Sequence, residues 1–254
     1  MPDIVVETLD KVVTVTINRP PVNTLTLATY EEIADVFDAI GLRADVNCAI
    51  FTGSGSRAFC AGLDLKEFMA AKLEDDPRRA AIVRRTFAAV RHCAIPVVAA
   101  VNGPALGAGA VLASVCDIRL ASENATFGTP EVNVGRCGGT AHMRRHFPQG
   151  MVRRMFFTGL PISAAEAHRW GFVDEVVPGS ELMGKARALA DLIASKAPLG
   201  LRMGKAALNE TEFLAVEEGY AIEQRYSTKL MATEDAREAT RAAVEKRKPV
   251  FVGR

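Results

Sequence analysis

Between residues 95 and 131 the chain reads IPVVAAVNGPALGAGAVLASVCDIRLASENATFGTPE, and two features of this run carry chemistry. The first is Gly107-Ala108-Gly109, which follows the β-branched run 97–101 and opens a small-residue segment whose spacing predicts a helix over 110–115. Strand, glycine turn and helix N-terminus present a concave set of backbone N–H groups, a site for an oxyanion. The second is Glu131, about twenty residues further on, behind Thr129-Pro130. Taken alone it reads as a helix-start carboxylate favoured by the helix dipole. Beside a set of backbone donors it becomes a candidate base, since polarising a carbonyl acidifies the neighbouring carbon.

Other motifs lead elsewhere and fail. A dinucleotide fingerprint needs glycine at 112, where Leu112 stands. Gly53-Ser54-Gly55-Ser56-Arg57 lacks both the Gly-Lys-Ser/Thr end of a phosphate loop and the Gly-x-Ser-x-Gly of a serine-hydrolase elbow. His142 and His146 share one helical face, but Met143 stands where a His-Glu-x-x-His motif has glutamate, and no third ligand is evident. No metal site is expected, and a half-exposed histidine pair beside arginine is the simpler reading. The stretch between Val132 and Ala165 holds five arginines (136, 144, 145, 153 and 154) and no acidic residue. They either pair with carboxylates elsewhere or form an anion site or subunit contact, and one of Arg136, Arg144 and Arg145 would then face the substrate.

The elements that must position these groups follow from pattern. Strands are predicted at 12–17, 47–52, 97–101, 116–120 and 172–177. Thr29-Tyr30-Glu31-Glu32 and Ser163-Ala164-Ala165-Glu166 both fit capping boxes, the first opening a helix that runs to about 40 and stops at Gly41. Residues 66–80 are charged and irregular, which predicts a mobile surface segment, with a helix over 80–92. Further helices are predicted at 139–147, 150–158 and 164–170, and the last sixty residues show helices punctuated by Pro198 and Thr233, with no strand signal. Alternating strands and helices argue for α/β layering. The expected division is a core over 1–195 and a helical region for assembly over 196–254.

At 254 residues and 49% apolar the chain can bury a large core, and its formal charge of +1 selects neither nucleic acid nor membrane. The start MPDIVVETLDK lacks a signal layout, which predicts a cytoplasmic protein. Five dispersed cysteines without Cys-x-x-Cys spacing read as reduced core thiols.

Three segments taken together resemble the enoyl-CoA hydratase/isomerase family, the crotonase superfamily. They are Ala58-Phe59-Cys60-Ala61-Gly62-Leu63-Asp64-Leu65-Lys66, Val101-Asn102-Gly103-Pro104-Ala105-Leu106-Gly107-Ala108-Gly109 and Phe127-Gly128-Thr129-Pro130-Glu131. The runs LPISAAEAHRWGFVDEVV at 160–177 and EKRKPVF near the end fit as well. The resemblance implies a crotonase-like spiral of strand-strand-helix turns with a C-terminal helical region that builds trimers, often paired into hexamers. It implies an acyl-CoA thioester as substrate, with coenzyme A as part of that substrate and no permanently bound cofactor. The thioester oxygen would be held by the N–H groups of Leu63 and Ala108, with Glu131 catalytic. The adenine end would lie near Ala61, Leu65 and Lys66, with further contacts at Val22, Asp64, Leu106, Gly107 and Val134, and Lys248 approaching the phosphates. The acyl pocket would draw its walls from 66–90. Pro21 stands where the family often has a basic residue.

One departure bears on the reaction. Hydratases of this family use two glutamates, and the position of the second is occupied here by Val111. The resemblance with one carboxylate therefore implies isomerase-like chemistry ahead of hydration. A hydrolase or lyase variant and a non-catalytic acyl-CoA-binding protein are the alternatives.

Overall fold

The computed structural model describes residues 2–254. A hairpin of β1 (Ile4–Leu9) and β2 (Val12–Ile17) opens the chain and is followed by α1 (Leu27–Leu42) and β3 (Cys48–Gly53). Next come α2 (Leu65–Ala70), α3 (Asp76–His92), β4 (Val97–Val101), the two-residue β5 (Ala105–Leu106) and α4 (Ala108–Val115). Then β6 (Ile118–Ser122) and β7 (Thr126–Gly128) lead into a 3-10 turn at Pro130–Val134. Short α5 (Thr140–Met143), α6 (Gln149–Thr158), β8 (Ile162–Ser163), α7 (Ala164–Arg169) and β9 (Glu175–Val177) complete the mixed part. Four helices close the chain: α8 (Leu182–Ala194), α9 (Pro198–Thr211), α10 (Val216–Met231) and α11 (Glu234–Val244).

Six strands form the main sheet in the order β1-β2-β3-β4-β6-β9, parallel except for the β1–β2 hairpin. Both faces are covered, so the inner strands are apolar throughout rather than alternating. Ala49, Phe51, Val97, Ala99 and Val101 pack into the larger core beneath α1 and α3. On the other face, Cys48, Ile50, Val98 and Ala100 meet α8. That helix presents Ala186, Ala190 and Ala194 at four-residue spacing, and small side chains there let it lie close on the sheet.

A second, smaller layer of β5, β7 and β8 runs alongside. Isolated parallel bridges, Cys60 to Ala105 and Leu25 to Leu63, extend it beyond β5. Each turn of the chain thus gives one long strand to the main sheet and one short pairing to the second layer. This is the strand-strand-helix spiral.

Several sequence expectations shift. The cap of α1 is Thr26, not Thr29: Thr26 Oγ1 accepts from Thr29 N at 3.2 Å, while the buried Thr29 hydroxyl donates to Asp3 at 2.8 Å. Residues 66–80 lie at the surface as expected but are regular, not irregular: they form α2, a 3-10 turn and the start of α3. Asp64 caps α2 by accepting from Lys66 N and Glu67 N at 3.1 and 3.2 Å. Glu67 accepts from Leu27 N at 3.2 Å and pairs with Arg79 at 3.2 Å, so these two charges are used inward while Lys66, Lys72, Glu74, Asp75 and Arg78 stay exposed. The strand expected at 116–120 begins at Ile118 because Cys116 caps α4. The strand expected at 172–177 shortens to β9, with Phe172 and Val173 in the core. The box at Ser163 forms as expected, its hydroxyl accepting from Glu166 N at 3.1 Å.

The C-terminal helices lie against the core through polar pins. Buried Lys205 donates to Ile95 O at 3.0 Å and pairs with Asp117 at 2.7 Å, and Asn209 donates to Arg91 O at 3.0 Å. Beyond these pins large apolar side chains are exposed, among them Leu208, Phe213, Val216, Met231 and Val244.

Candidate active site

The spiral explains why three distant segments meet. Leu63, Ala108 and Glu131 each follow a short pairing of the second layer, and those pairings are parallel neighbours. Adjacent strands lie about 4.8 Å apart, so successive turns bring the three positions to one end of the layer.

At the first turn, Leu25 N donates to Gly62 O at 2.8 Å and Asp64 N donates to Leu25 O at 2.9 Å. These bonds use the groups on either side of Leu63 and turn its own N–H the opposite way, towards α4. Ala108 is the first residue of α4, so its N–H has no partner within the helix. Among the described residues neither N–H donates to a protein acceptor. The two loops are in contact: a Cβ on Gly62, whose φ is +92°, would lie 2.9 Å from Leu106 O and 3.6 Å from Ala108 N. A Cβ on Gly109 would overlap the Cys60 carbonyl. Glycine at 62 is thus required by close approach as well as by conformation, and glycine at 109 by close approach alone.

Two asparagines brace this arrangement. Fully buried Asn23 donates to Ser54 O at 3.0 Å and Ala58 O at 2.9 Å, and Asn102 donates to Gly53 O at 2.8 Å and Gly55 O at 2.7 Å. Donors held this way need little reorganisation when charge develops on a bound oxygen.

Glu131 enters from the 3-10 turn. Its Oε1 lies 3.1 Å from where a Cβ on Gly107 would stand, and 3.7 and 3.9 Å from the same points on Gly138 and Gly139. Its Oε2 is buried without a hydrogen-bond partner. Burial pushes this carboxyl above the ordinary carboxylate range, which suits a group that takes and returns a proton. Val111, 2% exposed, stands one helical turn from Ala108 on the same wall, its Cγ2 3.0 Å from the Cβ position of Gly139.

These groups border a cavity of about 1110 Å³. One part is polar, with Asp3, Asn18, Arg19 and Lys66; the other is apolar, with Tyr30, Phe68, Val83, Phe87 and Val111. Of its three acidic residues, Asp3 pairs with Arg19 at 2.9 Å and Asp64 caps α2, so Glu131 alone is without a partner.

The model for the family described as enoyl-CoA hydratase/isomerase matches residues 7–254. The chain belongs to the enoyl-CoA hydratase/isomerase family. It is 37% identical over 250 residues to a short-chain-enoyl-CoA hydratase of Clostridium acetobutylicum, covering 97% of this chain and 96% of that one. It is 38% identical over 225 residues to a protein of Rhodococcus jostii named (7aS)-7a-methyl-1,5-dioxo-2,3,5,6,7,7a-hexahydro-1H-indene-carboxyl-CoA hydrolase, covering 87% and 86%. The crystal structure of an enoyl-CoA hydratase from Bacillus anthracis superposes with a TM-score of 0.96 at 34% identity, covering 100% of both chains. The fold is therefore that of the crotonase superfamily, and the chain is an enzyme of acyl-CoA thioesters.

In this family member the cavity gathers Ala61, Leu63, Asp64, Leu65, Lys66, Gly107, Ala108, Glu131 and Val134. Three expected contacts lie off its wall. Val22 and Leu106 act through the backbone, Val22 O accepting from Ala61 N at 3.0 Å and Leu106 N donating to Cys60 O at 2.9 Å. Lys248 is exposed in the tail behind α11, which is tied down by Val252 N donating to Asp235 at 2.7 Å. Within one chain it stands apart from the cavity.

The arginine-rich stretch pairs with distant carboxylates: Arg145 with Glu212 at 2.6 Å, Arg154 with Glu166 at 3.5 Å and Arg136 with Asp76 at 2.8 Å. Of Arg136, Arg144 and Arg145, only Arg136 also lines the cavity, its guanidinium 4.8 Å from the Phe68 ring centre. His146 bonds Ser114 O at 2.9 Å, and burial beside Arg119 holds its pKa at about 4, so it is neutral and structural. Among the described residues no cluster of metal-binding side chains occurs, and no helix is long and apolar enough to cross a membrane. Phe68, Val83 and Phe87 fall in the stretch 66–90 expected to wall the acyl pocket. Tyr30 was not expected, since an aromatic residue within a helix reads as core.

Proposed function

We propose that this enzyme moves a proton between carbons of an enoyl-CoA thioester, shifting the double bond, with Glu131 as both base and acid. The observation that supports this reading is the single unpartnered carboxylate, with Val111 across the same wall. The thioester oxygen accepts from the N–H groups of Leu63 and Ala108. Glu131 removes a proton from the carbon chain, the electron pair delocalises into a dienolate whose charge rests on that oxygen, and the protonated Glu131 returns the proton to a different carbon. One carboxylate suffices for both transfers. Adding water as the two-glutamate hydratases do requires a second carboxylate, and Val111 cannot supply it.

Coenzyme A enters as part of the substrate. The polar half of the cavity, with Ala61, Leu65 and Lys66 at its rim, is the proposed place for the adenine end. Residues 196–254 are the proposed assembly region, on the strength of the apolar side chains that α9, α10 and α11 leave exposed. A trimer or hexamer would cover them.

A second reading, hydrolysis, is favoured by the name of the Rhodococcus relative, since one carboxylate can also activate water. A panel of enoyl-CoA, saturated acyl-CoA and cyclic oxo-acyl-CoA thioesters, resolved by chromatography and mass spectrometry, separates the readings. Isomers of unchanged mass support the proposal. Gain of one water, with or without ring opening, or release of free acid, replaces it. Tight binding without turnover across the panel leaves an acyl-CoA-binding protein.

A further inference from the structure

The apolar half of the cavity contains one hydroxyl without a role in the fold. Tyr30 projects from α1 and is 2% exposed. Its ring packs edge-on against Phe87, with centroids 6.2 Å apart and planes at 78°. Its backbone carbonyl is held by Thr86 Oγ1 at 2.8 Å. Phenylalanine would fill this space equally well. Yet the side chain ends in a hydroxyl that makes no hydrogen bond to the protein among the described residues, and the residue borders the cavity. No hydrogen bond of the fold depends on this hydroxyl, so the fold itself gives no reason for the oxygen atom.

Resting on the proposed acyl-CoA site, we infer that Tyr30 is a specificity-determining residue whose hydroxyl donates a hydrogen bond to an oxygen carried by the acyl chain within a few carbons of the thioester. The substrate class is thereby an oxygenated acyl-CoA, with a hydroxyl or oxo group, rather than a plain hydrocarbon chain. Placement supports this range. Phe87 packs against Tyr30, and Phe68, Val83 and Val111 line the cavity with it; these offer such an oxygen nothing, and the other donor near this wall, Arg136 on the Phe68 ring, is already paired with Asp76. Burial, and then the proximity of Cys60 and of the Glu131 and Glu67 carboxylates, pushes the phenol above its ordinary value. It therefore stays protonated as a donor, and it lies near the carboxylate that faces the reacting carbons.

Tyr30→Phe removes the oxygen and keeps the ring. Calorimetric titration with matched thioesters reads the effect: butanoyl-CoA against 3-hydroxybutanoyl- and 3-oxobutanoyl-CoA, and pentanoyl- against 4-oxopentanoyl-CoA. The wild-type protein should bind at least one oxygenated member about tenfold more tightly than its hydrocarbon match. The variant should lose that preference while binding the hydrocarbon member unchanged. Its unliganded melting temperature should be equal or higher, because no protein bond is lost. A preference that survives in Tyr30→Phe, a wild-type protein that shows none, or a variant several degrees less stable without ligand each overturns the inference and leaves the acyl-CoA site standing. Failure of every thioester to bind the wild-type protein removes the site itself, and the inference with it.

Discussion

Replacing Glu131 by Gln keeps the shape of the side chain and removes only its ability to take a proton. Two effects follow in opposite directions. Positioned acid–base groups contribute about a hundred- to ten-thousand-fold, so turnover should fall on that order. The proposed donors at Leu63 and Ala108 belong to the backbone and remain, so CoA-thioester affinity should survive. Stability should rise. Oε2 is buried without a partner and burial raises the carboxyl's pKa, so in the folded protein the charged form is the disfavoured one. A carboxyl whose folded pKa lies above its unfolded value costs nothing while both states are protonated. It destabilises increasingly as pH climbs from the unfolded value, about 4.3, through the folded one, and the penalty is complete above it. Glutamine carries no such penalty. The stability gained by the variant should therefore be small at pH 4 and larger at pH 8. Thermal melts at both values, titration with an acyl-CoA and the turnover panel read all three quantities on one pair of proteins. A folded, thioester-binding Glu131→Gln protein with undiminished turnover would refute the catalytic assignment. A variant less stable at pH 8 than the wild type would refute the account of the buried carboxylate.

Val111→Glu should place a second carboxylate on the wall facing Glu131 and create or raise water addition to an enoyl-CoA, read as a gain of one water by mass spectrometry; a folded variant that still gives only isomer would show that more than this side chain separates the two reactions. Its melting temperature should fall, because position 111 is packed against Gly139 and an unpartnered carboxylate there is costly. Gly109→Ala should lose both stability and turnover, since the new methyl must displace the Cys60 carbonyl; overpacking on the order of 2–3 kcal/mol would lower the melting temperature by about 5–10 °C, and an unchanged melt would contradict the close approach of the two loops. Light scattering at micromolar protein should give the mass of a trimer or hexamer, and a monomer would leave the exposed apolar side chains of α9 to α11 without an explanation.

The long strands were legible because β-branched runs such as Val97–Val101 have few other readings, and the same holds for the capping box at Ser163. The cap of α1 was not. Thr29-x-x-Glu32 satisfies the local pattern, but the choice of Thr26 is made by two remote carboxylates, Asp3 on the Thr29 hydroxyl and Glu67 on Leu27 N. The same long-range pairing misdirects the reading of 66–80. Glu67 looks as solvated in sequence as its charged neighbours, and in space it is held by Leu27 N and Arg79. Pairings as short as Ala105–Leu106 and Ile162–Ser163 leave no period to detect. The proposed site residues could be named from sequence because glycine spacing and resemblance point to the turns that carry them. Tyr30 left no such trace, because what distinguishes it is a hydroxyl lacking a partner.

The proposed oxyanion donors are main-chain atoms, and this changes what mutation can do to them. Any residue at Leu63 or Ala108 other than proline still carries an N–H, so drift in side chains leaves the polarising device in place. The reaction can then be rewritten by exchanging a few wall residues, such as Val111, Glu131 or Tyr30, over a constant electrophilic centre. A lineage built this way can change its chemistry in single substitutions without first dismantling what makes the thioester reactive.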